Sequence, residues 1–161
     1  MKDKKEKGYS VLEIRQKLEF YCAYQERCYK EVEEKLHSFF LIPAAKEEIL
    51  IYLIENNFIN EERFACSFTR GKHNYKNWGR NRIKNELKFK NISSKLIDIA
   101  LKEIDNNLYV EKFNTLAEKH WESIKEKNGP KKNKKFIDYF LRRGFESHLI
   151  YDKLNELEKN S

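Results

Sequence analysis

Glycine and proline are scarce in this sequence. Five glycines and two prolines among 161 residues leave too few turn formers for the many tight reversals of an all-β chain, so long helices are expected. Cysteine is sparse too. Cys22, Cys28 and Cys66 are odd in number, form no CxxC pair and have no histidine at zinc-finger spacing. That pattern supports neither a disulfide framework nor a structural metal site, and three reduced, buried thiols are expected instead. His37, His73, His120 and His148 stand singly, as surface or half-buried side chains rather than ligands. Gly8, Gly71, Gly79, Gly129 and Gly144 build no phosphate-cradling loop and no nucleophile elbow, and HExxH is missing. Without a nucleophile, an acid–base pair or a metal set, no enzyme and no cofactor are expected. The longest apolar runs, Phe39 to Ala45 and Ile49 to Ile54, fall well short of the roughly 20 residues that span a bilayer. The lysine-rich start, Met1 to Lys7, lacks the apolar stretch of a signal peptide. A cytoplasmic protein without membrane contact is expected.

What the chain does carry is charge and aromatic surface. Charged residues are 37% and hydrophobic residues 40%, a balance that suits slender helices wrapped by solvent; eleven phenylalanines, nine tyrosines and two tryptophans supply anchors for a core. The net charge of +7 is concentrated. Between Arg70 and Lys90 eight basic residues, Arg70, Lys72, Lys76, Arg80, Arg82, Lys84, Lys88 and Lys90, face a single acid, Glu86. A second cluster, Lys125, Lys127, Lys131, Lys132, Lys134 and Lys135, surrounds Gly129 and Pro130 and is opposed by Glu126. Such patches gather polyanions, because each neutralised phosphate releases condensed counterions; an acidic protein groove feels the same field. The bland alternative is a set of lysines that solvate exposed helix faces. Trp78 amid these charges has two uses open to it, stacking on a base or packing between helices.

The sequence repeats itself. At an offset of 53, Ile83, Leu87, Ile92, Ser94, Ile97 and Leu101 match Phe136, Phe140, Phe145, Ser147, Ile150 and Leu154. A looser copy precedes them at an offset of 51, where Val32 and Leu36 match Ile83 and Leu87. Apolar spacings of three and four residues mark one buried stripe per helix. A preceding helix, starting near Val11, Glu61 and Tyr109, completes each unit. The expected architecture is all-α, three tandem three-helix repeats over 11–59, 60–107 and 108–158 behind a basic, flexible segment 1–10, together an elongated, curved module. Asn60 and Ser93 are expected N-caps, Asn57, Asn91 and Gly144 stops, and Pro43 and Pro130 helix starts. Arg80, Lys84 and Lys88 at a spacing of four form a stripe on one helix face. A helix-turn-helix docked in a major groove fits the paired helices, yet such a stripe tracks a phosphate row or an acidic wall better than it reads bases.

The chain resembles the RecX family, regulators of the RecA recombinase. The resemblance rests on Phe58-Ile59-Asn60-Glu61-Glu62-Arg63-Phe64-Ala65, on Arg70, on Trp78-Gly79-Arg80-Asn81-Arg82-Ile83-Lys84-Asn85-Glu86-Leu87 and on Lys90-Asn91-Ile92. Upstream, Ala23, Arg27, Glu31 and Lys35-Leu36 are similar to the family's first repeat. The resemblance implies a protein without an active site that lies in the groove of the RecA filament on DNA and restrains recombinase, ATPase and co-protease activity; a monomer is expected. The alternative is a helical DNA-binding module acting without RecA; a purely protein-binding adaptor is a third reading. Arg70, Lys72, Lys76, Arg80, Arg82, Lys84 and Lys88 are the expected face toward filament and DNA phosphates. Lys131, Lys132, Lys134 and Lys135 are a second, flexible contact. Glu62, Arg63, Phe64, Gly79, Ile83, Glu86 and Leu87 belong to the family signature with mainly structural roles.

Overall fold

In a computed structural model that describes residues 8–161, the chain is all-helical; no strand occurs among the described residues. Of the basic segment expected over 1–10, residues 1–7 lie outside the described residues. The helices are α1 (Val11–Tyr24), α2 (Tyr29–His37), α3 (Pro43–Glu55), α4 (Glu61–Lys76), α5 (Arg80–Phe89), α6 (Ser94–Leu101), α7 (Asn106–Ser123), α8 (Pro130–Arg143) and α9 (Ser147–Lys159). No helix among them is long and apolar enough to cross a membrane.

Local chemistry sets the helix ends. Ser10, Ser93 and Asp105 accept the amides of Glu13, Leu96 and Leu108, and Asn60 accepts that of Arg63 at 2.9 Å. Pro43 and Pro130 open α3 and α8, where a missing N–H costs nothing. Left-handed residues close the repeated helices at matching places: Phe40 (φ 53°) after α2, Asn91 (φ 61°) after α5 and Gly144 (φ 89°) after α8. At the last two, the following residue turns inward and donates back across the helix end, Ile92 to Leu87 O at 3.0 Å and Phe145 to Phe140 O at 3.1 Å. Both residues are buried, so each stop also delivers an apolar anchor.

The chain divides into two compact units, Met1–Phe64 and Ala65–Ser161, with the division inside α4. In the first, α1, α2 and α3 pack together around Ile14, Leu18, Val32, Leu36, Ile49, Leu53 and Ile59. Arg63 fastens its end: Nε donates to Glu26 at 2.6 Å, and Nη2 donates to the carbonyls of Asn57 and Phe58. In the second, α5 packs on α6, and α7, α8 and α9 form a bundle. That bundle has an aromatic core of Tyr109, Phe113, Trp121, Phe136, Phe140 and Phe145. Where the middle repeat uses Ile83, Leu87 and Ile92, the last uses three phenylalanines, and all six are buried. Cys22, Cys28 and Cys66 are free and buried; burial pushes the Cys22 thiol up to about 11, which keeps it protonated.

Candidate functional site

Two glycines bring the second unit's helices into backbone contact. α5 begins at Gly79 with no side-chain cap; its free amides are met by the end of α8, Gly79 N–H donating to Arg143 O at 2.6 Å and Asn81 N–H to Gly144 O at 2.9 Å. A helix N-terminus thus satisfies a helix C-terminus, and their opposite partial charges attract. Arg80 is drawn into the same joint. Its amide donates to the Tyr109 hydroxyl at 3.1 Å, its guanidinium lies 3.9 Å over the Tyr109 ring and donates to Asn106 Oδ1 at 3.1 Å, and Glu146 stands 3.9 Å away. The Tyr109 hydroxyl in turn donates to the Glu146 carboxylate at 3.0 Å. Burial pushes the Tyr109 phenol up, so it stays a donor.

His73 stands behind this joint, buried, 5.3 Å from the Tyr109 ring centre, with Nδ1 donating to Trp78 O at 2.9 Å. Burial lowers its pKa; the Trp78 carbonyl works the other way, and the Lys112 and Arg80 charges add to the lowering. His120 is lowered as well, first by burial and then by Arg143. In the acid range the unfolded chain therefore binds protons that the native unit refuses. Stability is expected to be full above pH 7 and to fall as the pH drops through the unfolded value of about 6.5 toward the depressed native ones. Urea midpoints at pH 7.5 and 5.5 measure this, and His73→Gln should flatten the difference in part. An unchanged pH dependence in that variant would assign the loss to other groups.

The expected cationic face is redistributed by packing. Arg70 pairs with Glu103 at 3.1 Å, and Lys72 lies 4.9 Å over the Trp78 ring. Arg80 is held in the joint, so the stripe of three becomes a pair. Lys84 and Lys88 are exposed and meet no carboxylate among the described residues, and Lys76 is exposed as well. Arg82 lies over the Trp78 ring, 4.0 Å from its centre. Trp78 thus packs between helices, edge-on to Phe68. The second cluster is less free than expected. Lys132 is buried against the Trp121 ring at 4.0 Å and bonded to Asn128, which corrects its placement in a flexible contact; the apolar stem and ring cover each other. Lys134 pairs with Asp138 at 2.6 Å and Lys135 with Glu126, leaving Lys131 exposed. In the signature, Phe64, Gly79, Ile83 and Leu87 are buried, Arg63 is the fastener described above and Glu62 is exposed in the first turn of α4.

Three residues that charge counting passes over join this face. Tyr139, Arg142 and Arg143 from α8 line one groove of about 440 Å³ with Lys76, Trp78 and Arg82. Only the Arg142-Arg143 pair just ahead of Gly144 was a visible signal, and it lies outside both lysine-rich runs. No group of His, Cys, Asp and Glu among the described residues is placed to hold a metal ion.

Family models match this architecture twice, the second three-helix domain of RecX over residues 60–101 and the third over 108–154. The crystal structure of RecX from Lactobacillus salivarius superposes with a TM-score of 0.78 at 31% identity, covering 92% of this chain and 96% of that one. The chain belongs to the RecX family. Among curated sequences, the regulatory protein RecX of Clostridioides difficile (strain 630) is 30% identical over 128 residues, 80% of this chain and 60% of the relative. That of Bacillus cytotoxicus is 28% identical over 139 residues, 86% of this chain and 52% of the relative. The chain thus spans only half to three-fifths of these RecX proteins. The joint described above connects the two matched RecX domains, Gly79 and Arg80 from the second meeting Tyr109, Gly144 and Glu146 from the third.

Proposed function

We propose that this chain regulates the RecA recombinase by binding the RecA filament on DNA and restraining its recombination, ATPase and co-protease activities. It acts by binding alone, as a cytoplasmic monomer, with no catalytic step and no cofactor of its own. Membership of the RecX family supports the partner. The observation that carries the contact is on α5: Lys84 and Lys88 sit one turn apart, exposed and uncompensated, while Arg70, Arg80, Lys134 and Lys135 are committed to internal partners. Uncompensated charge is what a polyanionic or acidic filament surface can use, because no internal ion pair has to break first. Tandem helical domains offer several weak contacts along one chain, and each contact after the first is intramolecular, so occupancy can favour one filament state over another.

The test adds the protein to RecA filaments on single-stranded DNA and follows ATP hydrolysis and co-sedimentation, with naked DNA as control. The wild-type chain should co-sediment and slow hydrolysis. Lys84→Glu with Lys88→Glu should weaken that effect by about tenfold, roughly 1.4 kcal/mol of binding, and leave the helical spectrum unchanged. Equal restraint by the double variant would remove this face from the interface. Binding to naked DNA with no effect on filaments would favour the independent DNA-binding module.

A further inference from the structure

The groove lined by Lys76, Trp78, Arg82, Tyr139, Arg142 and Arg143 holds four cations and no carboxylate among its lining residues. Its guanidinium groups are placed by rings and carbonyls rather than by acids. Arg82 lies over the Trp78 ring, 4.0 Å from its centre, and spends one N–H on Arg142 O at 3.5 Å. Arg143 lies 4.6 Å from the Tyr139 ring centre and spends one N–H on Lys76 O at 3.0 Å. Tyr139 is itself stacked with His120, ring centres 3.7 Å apart. Arg142 is exposed and bonds only the Asp138 carbonyl of its own helix, while the Asp138 carboxylate is held by Lys134. A guanidinium carries five N–H donors, so each keeps most of its fork for a ligand.

We infer that this groove is a clamp for the phosphodiester backbone of a single nucleic-acid strand, built jointly by the second and third domains. Three guanidinium groups and an ammonium gathered without a counter-charge repel one another, and an anion seated among them removes that cost. Side chains already immobilised on aromatic faces lose little further freedom on binding, which favours a fork-shaped contact over loose lysine attraction. A groove of about 440 Å³ exceeds what a lone carboxylate fills and suits a short run of sugar and phosphate. Its concavity suits one strand rather than the convex flank of a duplex. The recognition argued here is of phosphate charge, which carries no sequence information, so binding is expected to be indifferent to sequence. The inference deepens the reading above and rests on it only for its setting, since strand binding can be measured without RecA.

The test measures anisotropy of a labelled twelve-residue oligothymidylate from 50 to 300 mM salt, with duplex of equal length and polyglutamate as competitors. The wild-type chain should prefer the single strand to both. Arg142→Gln should lower the slope of log affinity against log salt by about 0.7, and Arg82→Gln with Arg142→Gln by about 1.4, as expected for one and two lost phosphate contacts on a single strand. Because Arg142 is exposed, its single variant keeps the fold, and a superimposable melting curve verifies this. Unchanged slopes in both variants, or competition by polyglutamate or duplex as strong as by the strand, would overturn the inference. RecA hydrolysis measured on the same variants separates the two readings: strand binding lost with RecA restraint intact supports the groove and places the RecA contact elsewhere. Strand binding through the groove by a wild-type chain that leaves RecA untouched supports the groove and defeats only the RecA reading.

Discussion

Replacing Gly144 by alanine is expected to destabilise the 65–161 unit by about 2 to 5 kcal/mol. The residue sits at φ 89°, where a side chain costs roughly 1–2 kcal/mol against its own carbonyl. Its added Cβ would also stand 2.3 Å from Arg82 N and 2.4 Å from Arg82 Cβ, so the two domains must part or the turn must shift, at a further cost on the order of 1–3 kcal/mol. Gly79→Ala meets the same wall from the other side, 2.4 Å from Gly144 C and O. Both tryptophans, Trp78 and Trp121, belong to this unit, so urea unfolding followed by tryptophan fluorescence reports on it selectively. Gly71→Ala is the control of opposite sign. It lies inside α4 with nothing within 4 Å of the new Cβ, and alanine there should stabilise by about 0.5–1 kcal/mol. A Gly144→Ala chain within about 1 kcal/mol of wild type would mean that the close approach of α5 and α8 is not maintained in solution. The same variant should weaken strand binding, since Arg142 and Arg143 are presented by the turn that Gly144 closes.

Phe140→Ala should cost a similar amount, about 3 to 5 kcal/mol. The ring is fully buried at the centre of the third bundle, 5.0 Å from Phe136, 5.3 Å from Phe113 and 5.8 Å from Phe145 between ring centres, with Tyr139 at 4.9 Å and His120 at 5.6 Å. Deleting it leaves a cavity that several rigid rings cannot close, and it removes edge-to-face pairs worth roughly 0.5–1.5 kcal/mol each beyond their area. Phe140→Leu restores the residue type found at the matching position 87 and should lose less. The comparison is a fluorescence-detected urea series, Trp121 lying 5.7 Å from Phe136 in the same cluster. If alanine and leucine cost the same, ring-on-ring contact contributes little and the bundle tolerates any apolar filler.

Much of the fold could be read along the chain because its signals are short-ranged. Asn60, Ser93, Pro43 and Pro130 act on amides or torsions within four residues, and Asn57, Asn91 and Gly144 adopt the left-handed backbone that their positions suggested. Phe40 does so too, without a composition cue, since an aromatic residue is an unusual choice there. The offset of 53 placed Ile83, Leu87 and Ile92 opposite Phe136, Phe140 and Phe145, and all six are buried. The candidate face was legible only in outline. A count of charges along the chain placed Arg80 beside Lys84 and Lys88 and gathered Lys132 with its neighbours, yet Arg80 is stacked on Tyr109 and Lys132 on Trp121.

By itself the sequence determined that the chain is helical, where several of its helices begin or end, which stripes of the repeated helices are buried and that it carries the RecX signature; α7 begins at Asn106, capped by Asp105, three residues ahead of the start expected near Tyr109. Those properties follow from spacings of three and four residues and from backbone preferences of single side chains. Only the tertiary structure decided which cations remain available. Arg70 finds Glu103, and Arg80 finds Tyr109 and Glu146, partners far along the chain. Partners that distant are chosen by how helices pack, and an arginine's charge is spent or spared according to the group that packing sets before it.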